Sequence, residues 1–154
     1  MKSSKIFIAL IFLVLVSTVG VAVAEDASVG IYTFTVPDGY SITQTEDNLV
    51  VMQLDENNVV NFATEVDSDI DAAKENLISQ GNELIQEDTI NYNDMEINLQ
   101  SFKTSNGLFS YNYIFLGDNG NFAVTVVTNN ADFDADLEAE GNPATTIFDS
   151  VVEN

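Results

Sequence analysis

From residue 31 to residue 128 the chain alternates side-chain character mostly at a period of two, the signature of half-buried strands. The longest such stretch, Phe109 to Thr128, reads as two strands joined by the turn Gly117-Asp118-Asn119-Gly120. Phe109, Tyr111, Tyr113 and Phe115 occupy alternate positions of the first strand, so they form one row on one face. Ser110, Asn112, Ile114 and Leu116 form the opposite face, which is more polar at one end. Upstream, Ile31 to Val36 is β-branched and aromatic and stops at Pro37-Asp38-Gly39, a turn signal. Tyr40 to Thr45, Leu49 to Leu54 and Val59 to Val66 follow as antiparallel strands with polar turns, and Val60, Phe62 and Val66 are expected on one face. Leu84 to Tyr92 and Ile97 to Thr104 continue the meander through turns at Asn93-Asp94 and Asn106-Gly107.

The period changes to a helical one between these two groups of strands. Ile70, Ala73, Leu77 and Ile78 recur at helical spacing within Ser68 to Gln80, Ser68 or Asp69 can cap the start, and Gly81 stands at the stop. The C-terminal part reads as a helical region, Ala131 to Glu140, a break at Gly141-Asn142-Pro143, and a last helix from Ala144 to Val152. This order predicts an α+β fold, an antiparallel β-sheet covered by helices, in a single domain over 31–152. Residues 25–30 read as a short tether. With helices for both faces, the aromatic row is expected to anchor the core, with the hydroxyls of Tyr111 and Tyr113 free to reach a pocket rim.

One resemblance rests on short motifs. Phe34-Thr35-Val36-Pro37-Asp38-Gly39-Tyr40, then a mid-chain helix, a strand meander and a terminal helix carrying Phe148-Asp149-Ser150, resembles the PsbP-like family across roughly residues 31–152. That family includes extrinsic proteins of photosystem II, a nuclear-transport cofactor and many exported bacterial and archaeal proteins. The resemblance implies an α/β/α sandwich. It does not transfer docking or metal sites, because the basic and histidine positions those members use are missing here.

The first 24 residues change the picture of where the domain works. Lys2 and Lys5 flank the unbroken apolar run Ile6 to Val16, and small residues lead to Ala22-Val23-Ala24, the form a signal peptidase accepts. Residues 1–24 are read as a signal peptide cleaved before Glu25, with an uncleaved signal anchor as the alternative, since a bilayer needs about 20 apolar residues. Either reading puts the remainder outside the cytoplasm, secreted or at the cell surface. From Glu25 onward only Lys74 and Lys103 remain against all 25 acidic residues, a side-chain charge of −23. Such a surface repels nucleic acid and anionic membrane lipid, so both are excluded as partners. It suits cations or basic proteins, and the expected partner is an extracellular or envelope protein. There is no cysteine, hence no disulfide framework and no lipid-anchoring thiol, and no Asn begins an N-x-Ser/Thr sequon.

The residue types limit the chemistry. Without His, Cys or Arg, nucleophilic triads, arginine clamps and His-ligated transition metals are ruled out. The expected function is a non-enzymatic binding or accessory module. The alternatives are a hydrolase working with a carboxylate pair and a passive divalent-cation-binding surface protein. For calcium, Asp67-Ser68-Asp69-Ile70-Asp71 and Asp132-Phe133-Asp134-Ala135-Asp136 both start like an EF-hand loop. Both then place Ala72 or Leu137 where the loop needs Gly, and Ile78 or Pro143 where it needs Glu. Asp132, Asp134 and Asp136 remain weak candidates for a cation, and no cofactor is expected. Export with cleavage predicts that N-terminal sequencing of the exported protein starts at Glu25; an intact Met1 identifies the anchored form.

Overall fold

The computed structural model describes residues 25–154, and residues 1–24, expected to be a signal peptide or anchor, lie outside the described residues. Seven strands form one antiparallel sheet in the order β3-β4-β5-β9-β8-β7-β6. They are β3 (Ser41–Glu46), β4 (Leu49–Asp55), β5 (Asn58–Thr64), β6 (Glu83–Tyr92), β7 (Met95–Lys103), β8 (Phe109–Leu116) and β9 (Asn121–Thr128). A second, three-stranded sheet joins β1 (Asp26–Val29), β2 (Tyr32–Thr35) and β10 (Val152–Glu153). Helix α1 (Ile70–Ser79) lies between β5 and β6 in the chain, and α2 (Pro143–Ser150) between β9 and β10. The fold is α+β, with the antiparallel sheet covered by helices.

Register explains which side chains meet. Tyr113 stands opposite Val124 and Leu99, Tyr111 opposite Val126 and Ser101, and Phe115 opposite Phe122 and Ile97. Val124 and Val126 in turn face Phe62 and Val60, which pair with Val50 and Met52. The aromatic row of β8 is therefore part of a continuous apolar face that runs from β4 to β7, and Ala144, Ile147 and Phe148 of α2 pack on it together with Ala27, Val29, Tyr32 and Phe34. Phe62 stacks between Phe34 (4.4 Å) and Phe122 (4.9 Å). Close ring pairs of this kind add to the area that burial removes from water.

The opposite face carries α1 and is partly polar. Asp69 caps the helix by accepting from the Ala72 N–H, Ala73 and Leu77 turn inward, and Gly81 follows in the left-handed conformation at φ 95°. Gln100, Asn112, Thr125 and Asn61 sit side by side on four neighbouring strands of this face, and all four are buried. Gln100 Nε2 donates to the Ile70 carbonyl oxygen at 3.2 Å, and Lys74 Nζ meets Glu87 Oε2 at 3.0 Å, so α1 is held to β6 and β7 by polar contacts. The Glu87 carboxylate beside it raises the Lys74 ammonium above its ordinary pKa.

Several expectations change. Residues 25–30, expected as a tether, form β1 instead: Asp26 to Val29 pairs with β2, and Ala27 and Val29 are buried against the core. Four residues of alternating character are too few to announce a strand, and the pairing supplies the rest. Val66 leaves the face of Val60 and Phe62 because Glu65 adopts φ 59°, which breaks the alternation. Val66 then joins Ile114 and Ala123 on the α1 side. The expected helix at Ala131 to Glu140 is absent. Asp134 Oδ1 accepts from the Asp136 N–H and Asp136 Oδ1 from the Glu138 N–H, and these side-chain turns compete with helical bonding. Phe62, at the centre of the ring stack and fully buried, sets the scale of the core: Phe62→Ala is expected to cost about 3–5 kcal/mol, read from urea unfolding.

Candidate functional site

A groove of about 660 Å³ opens where β6, β7 and β8 meet the loop between β9 and α2. Its floor holds Leu99, Ser101 and Tyr111; its outer wall is β6, from Ile85 to Ile90; its other wall is the loop from Asp132 to Asp136. Each wall has a local cause. In β6 the register shifts between Leu84 and Gln86, a β-bulge that leaves Ile85 without a partner on β7. Ile85 is consequently 54% exposed, a large apolar side chain at the groove wall.

The loop wall is pinned from beneath. Phe133 and Ala135 face inward and Leu137 is fully buried, whereas Asp132, Asp134 and Asp136 are exposed. Phe133 lies on Tyr111 with ring centroids 4.7 Å apart. The hydroxyl of Tyr113 donates to the Ala135 carbonyl oxygen at 2.7 Å and accepts from Asn142 Nδ2 at 3.1 Å. Asn142 Nδ2 also donates to the Asp136 carbonyl oxygen at 3.2 Å, while its Oδ1 caps α2 by accepting from the Ala144 N–H. Pro143 takes the first helical position, where its missing N–H costs nothing. At the far end of β6, the Tyr92 hydroxyl donates to Asp149 Oδ1 at 2.7 Å, tying the hairpin to α2. That hydrogen bond pushes the Tyr92 pKa up to about 12.

The two tyrosines named from the sequence are thus placed differently. Tyr111 lines the groove, while Tyr113 is wholly buried below the loop and its hydroxyl holds the backbone. Asp132, Asp134 and Asp136 are brought to the groove, but successive turns space them along the loop instead of converging them. Among the described residues no group of three or more His, Cys, Asp or Glu side chains could hold a metal ion. In the other Asp-rich stretch, Asp69 caps α1 and Asp71 pairs with Lys74. Sequence reasoning missed Ile85, Asp88 and Ser101. Ser101 is 1% exposed and its Oγ has no hydrogen-bond partner. Among the described residues no lysine lines the groove.

No family model matches the chain, and no curated protein matches it. Among solved structures it is similar to the solution structure of cyanobacterial PsbP (CyanoP) from Synechocystis sp. PCC 6803. The TM-score is 0.51 at 13% sequence identity, over 91% of this chain and 98% of that one. The chain has a PsbP-like fold. Among the described residues no helix is long and apolar enough to cross a membrane.

The loop anchor has a measurable signature. Tyr113→Phe removes a donor and an acceptor from a fully buried position, and is expected to cost about 1–3 kcal/mol and to speed amide exchange through 133–142. Burial raises the Tyr113 pKa above its ordinary value of 10.0. Stability from this group is complete below that value and falls as pH climbs past it toward the folded-state pKa. The Phe variant is expected to lose that part of the alkaline slope in melts taken across the range.

Proposed function

We propose that this chain is an exported accessory module that works by binding and presents the acidic groove to a partner in the envelope or outside the cell. The observation that carries the reading is the make-up of the groove: exposed Ile85 and partly exposed Phe133 are framed by Asp88, Asp132, Asp134 and Asp136. Apolar anchors within a charged rim are the usual composition of a recognition surface. Export rests on the character of residues 1–24, and the PsbP-like fold is compatible with an accessory role without assigning one.

A carboxylate-pair hydrolase draws less support. No Asp or Glu is buried among the described residues, so none occupies the desolvated environment that separates a catalytic acid from its partner base. The test uses a photo-crosslinking amino acid at position 85 and, as a remote control, at position 54, where Leu54 is 48% exposed. With native envelope material, a discrete adduct is expected from position 85 and not from position 54. Equal labelling from both positions, or none from position 85, sinks the reading.

A further inference from the structure

We propose that the groove takes an extended, basic peptide segment, which pairs with the free edge of β6 and directs alternate cationic side chains toward Asp88 and the Asp132–Asp136 rim. This rests on the reading of the groove as a docking site and names its occupant. Three independent observations converge on it.

The first is the sheet edge. β6 is the last strand in the sheet order, so its outer edge pairs with no strand among the described residues. Seven of its ten residues are exposed, and a strand of this length is a ready template for an added strand. The second is charge. Asp88 lies on the groove side of β6, the loop adds three carboxylates, and among the described residues no lysine lines the groove to offset these four; Glu87, on the other face, is already paired with Lys74. A second copy of this chain brings the same sign to the edge, and like charges along paired strands oppose association. A basic strand is the complement. The third is Ser101. Its Oγ is buried at the groove floor without a partner, an arrangement that buried hydroxyls ordinarily avoid; Ser101 stands one strand inside β6, so an added strand lies about 10 Å away and a long side chain from it, not its backbone, is what reaches over β6 to satisfy the hydroxyl. Ile85, lifted out of the ladder by the bulge, supplies the apolar contact that a purely ionic site lacks.

The test is fluorescence anisotropy at moderate salt with the purified protein and a fluorescein-labelled peptide that alternates Lys and Val. Saturable binding is expected. The combined variant Asp132→Asn, Asp134→Asn and Asp136→Asn keeps the side-chain oxygens that close the loop turns but removes their charge, and it is expected to weaken binding by about tenfold or more. With the unaltered protein, a peptide N-methylated at alternate residues is expected to lose affinity to a similar degree, because it cannot complete the ladder. Equal affinity of the N-methylated peptide overturns strand pairing, and equal affinity of the Asn variant overturns the site. Full displacement by millimolar Ca2+ at matched ionic strength also overturns the proposal, assigning the rim to a divalent cation. No saturable binding alongside a position-85 adduct removes the basic peptide and leaves the docking groove standing; loss of the adduct removes both.

Discussion

Phe62, held between Phe34 and Phe122, is the contact on which the rest of the molecule depends. It joins the seven-stranded sheet to the small sheet above it, and Phe122 carries the packing on to Phe148 of α2 at 5.8 Å. No cysteine cross-links the chain, and residues 25–154 carry a side-chain charge of −23 whose self-repulsion opposes compaction. Hydrophobic burial on the aromatic face therefore has to hold the structure without covalent help. The position of the groove follows from where that cover ends. Tyr113 lies under α2, within ring contact of Phe148, whereas Tyr111, two residues earlier, is covered only by the loop through Phe133.

Much of this frame was legible in the residues. The alternation of Phe109, Tyr111, Tyr113 and Phe115 identifies a strand with one apolar face, and the face does pack into the core. Asp69 before a helical repeat and Gly81 after it mark α1 within a residue or two. What failed has a common cause. The Asp residues at 132, 134 and 136 suit a solvated helix face by composition, yet the short side chains of Asp134 and Asp136 bond the backbone two residues on, and the segment stays non-helical. Asn142-Pro143 read as a break although an Asn followed by Pro is also a helix start, and here it is the start of α2. The buried rung of Gln100, Asn112, Thr125 and Asn61 has no signature at all in a period-two pattern, because each polar residue lies in a different strand.

The groove was the least legible feature, since it exists only where distant segments meet. Ile85 becomes exposed through a bulge, Ser101 becomes a floor residue through the pairing of β7 with β8, and the loop reaches over them because Tyr113 and Asn142 hold it. The same aspartates serve two ends. One oxygen of Asp134 and one of Asp136 close a turn, and their remaining charge faces outward at the rim. Structure and electrostatics are thus coupled in one segment, and the acidity of this surface is not separable from its shape.

The short strand β10 bears on the order of assembly. Val152 pairs with Thr33, the Asn154 N–H donates to the Ile31 carbonyl oxygen at 2.7 Å, and Asn154 Nδ2 reaches Thr33 Oγ1 across a separation of 121 positions. Loop-closure entropy makes such a pairing slow to form on its own, though it grows only logarithmically with separation. The small sheet that roofs Phe62 is consequently complete only once residues 152–153 have paired with β2. The roof over the aromatic face is thus shared by segments far apart in the chain, residues 26–35 and 143–153, and neither covers it alone.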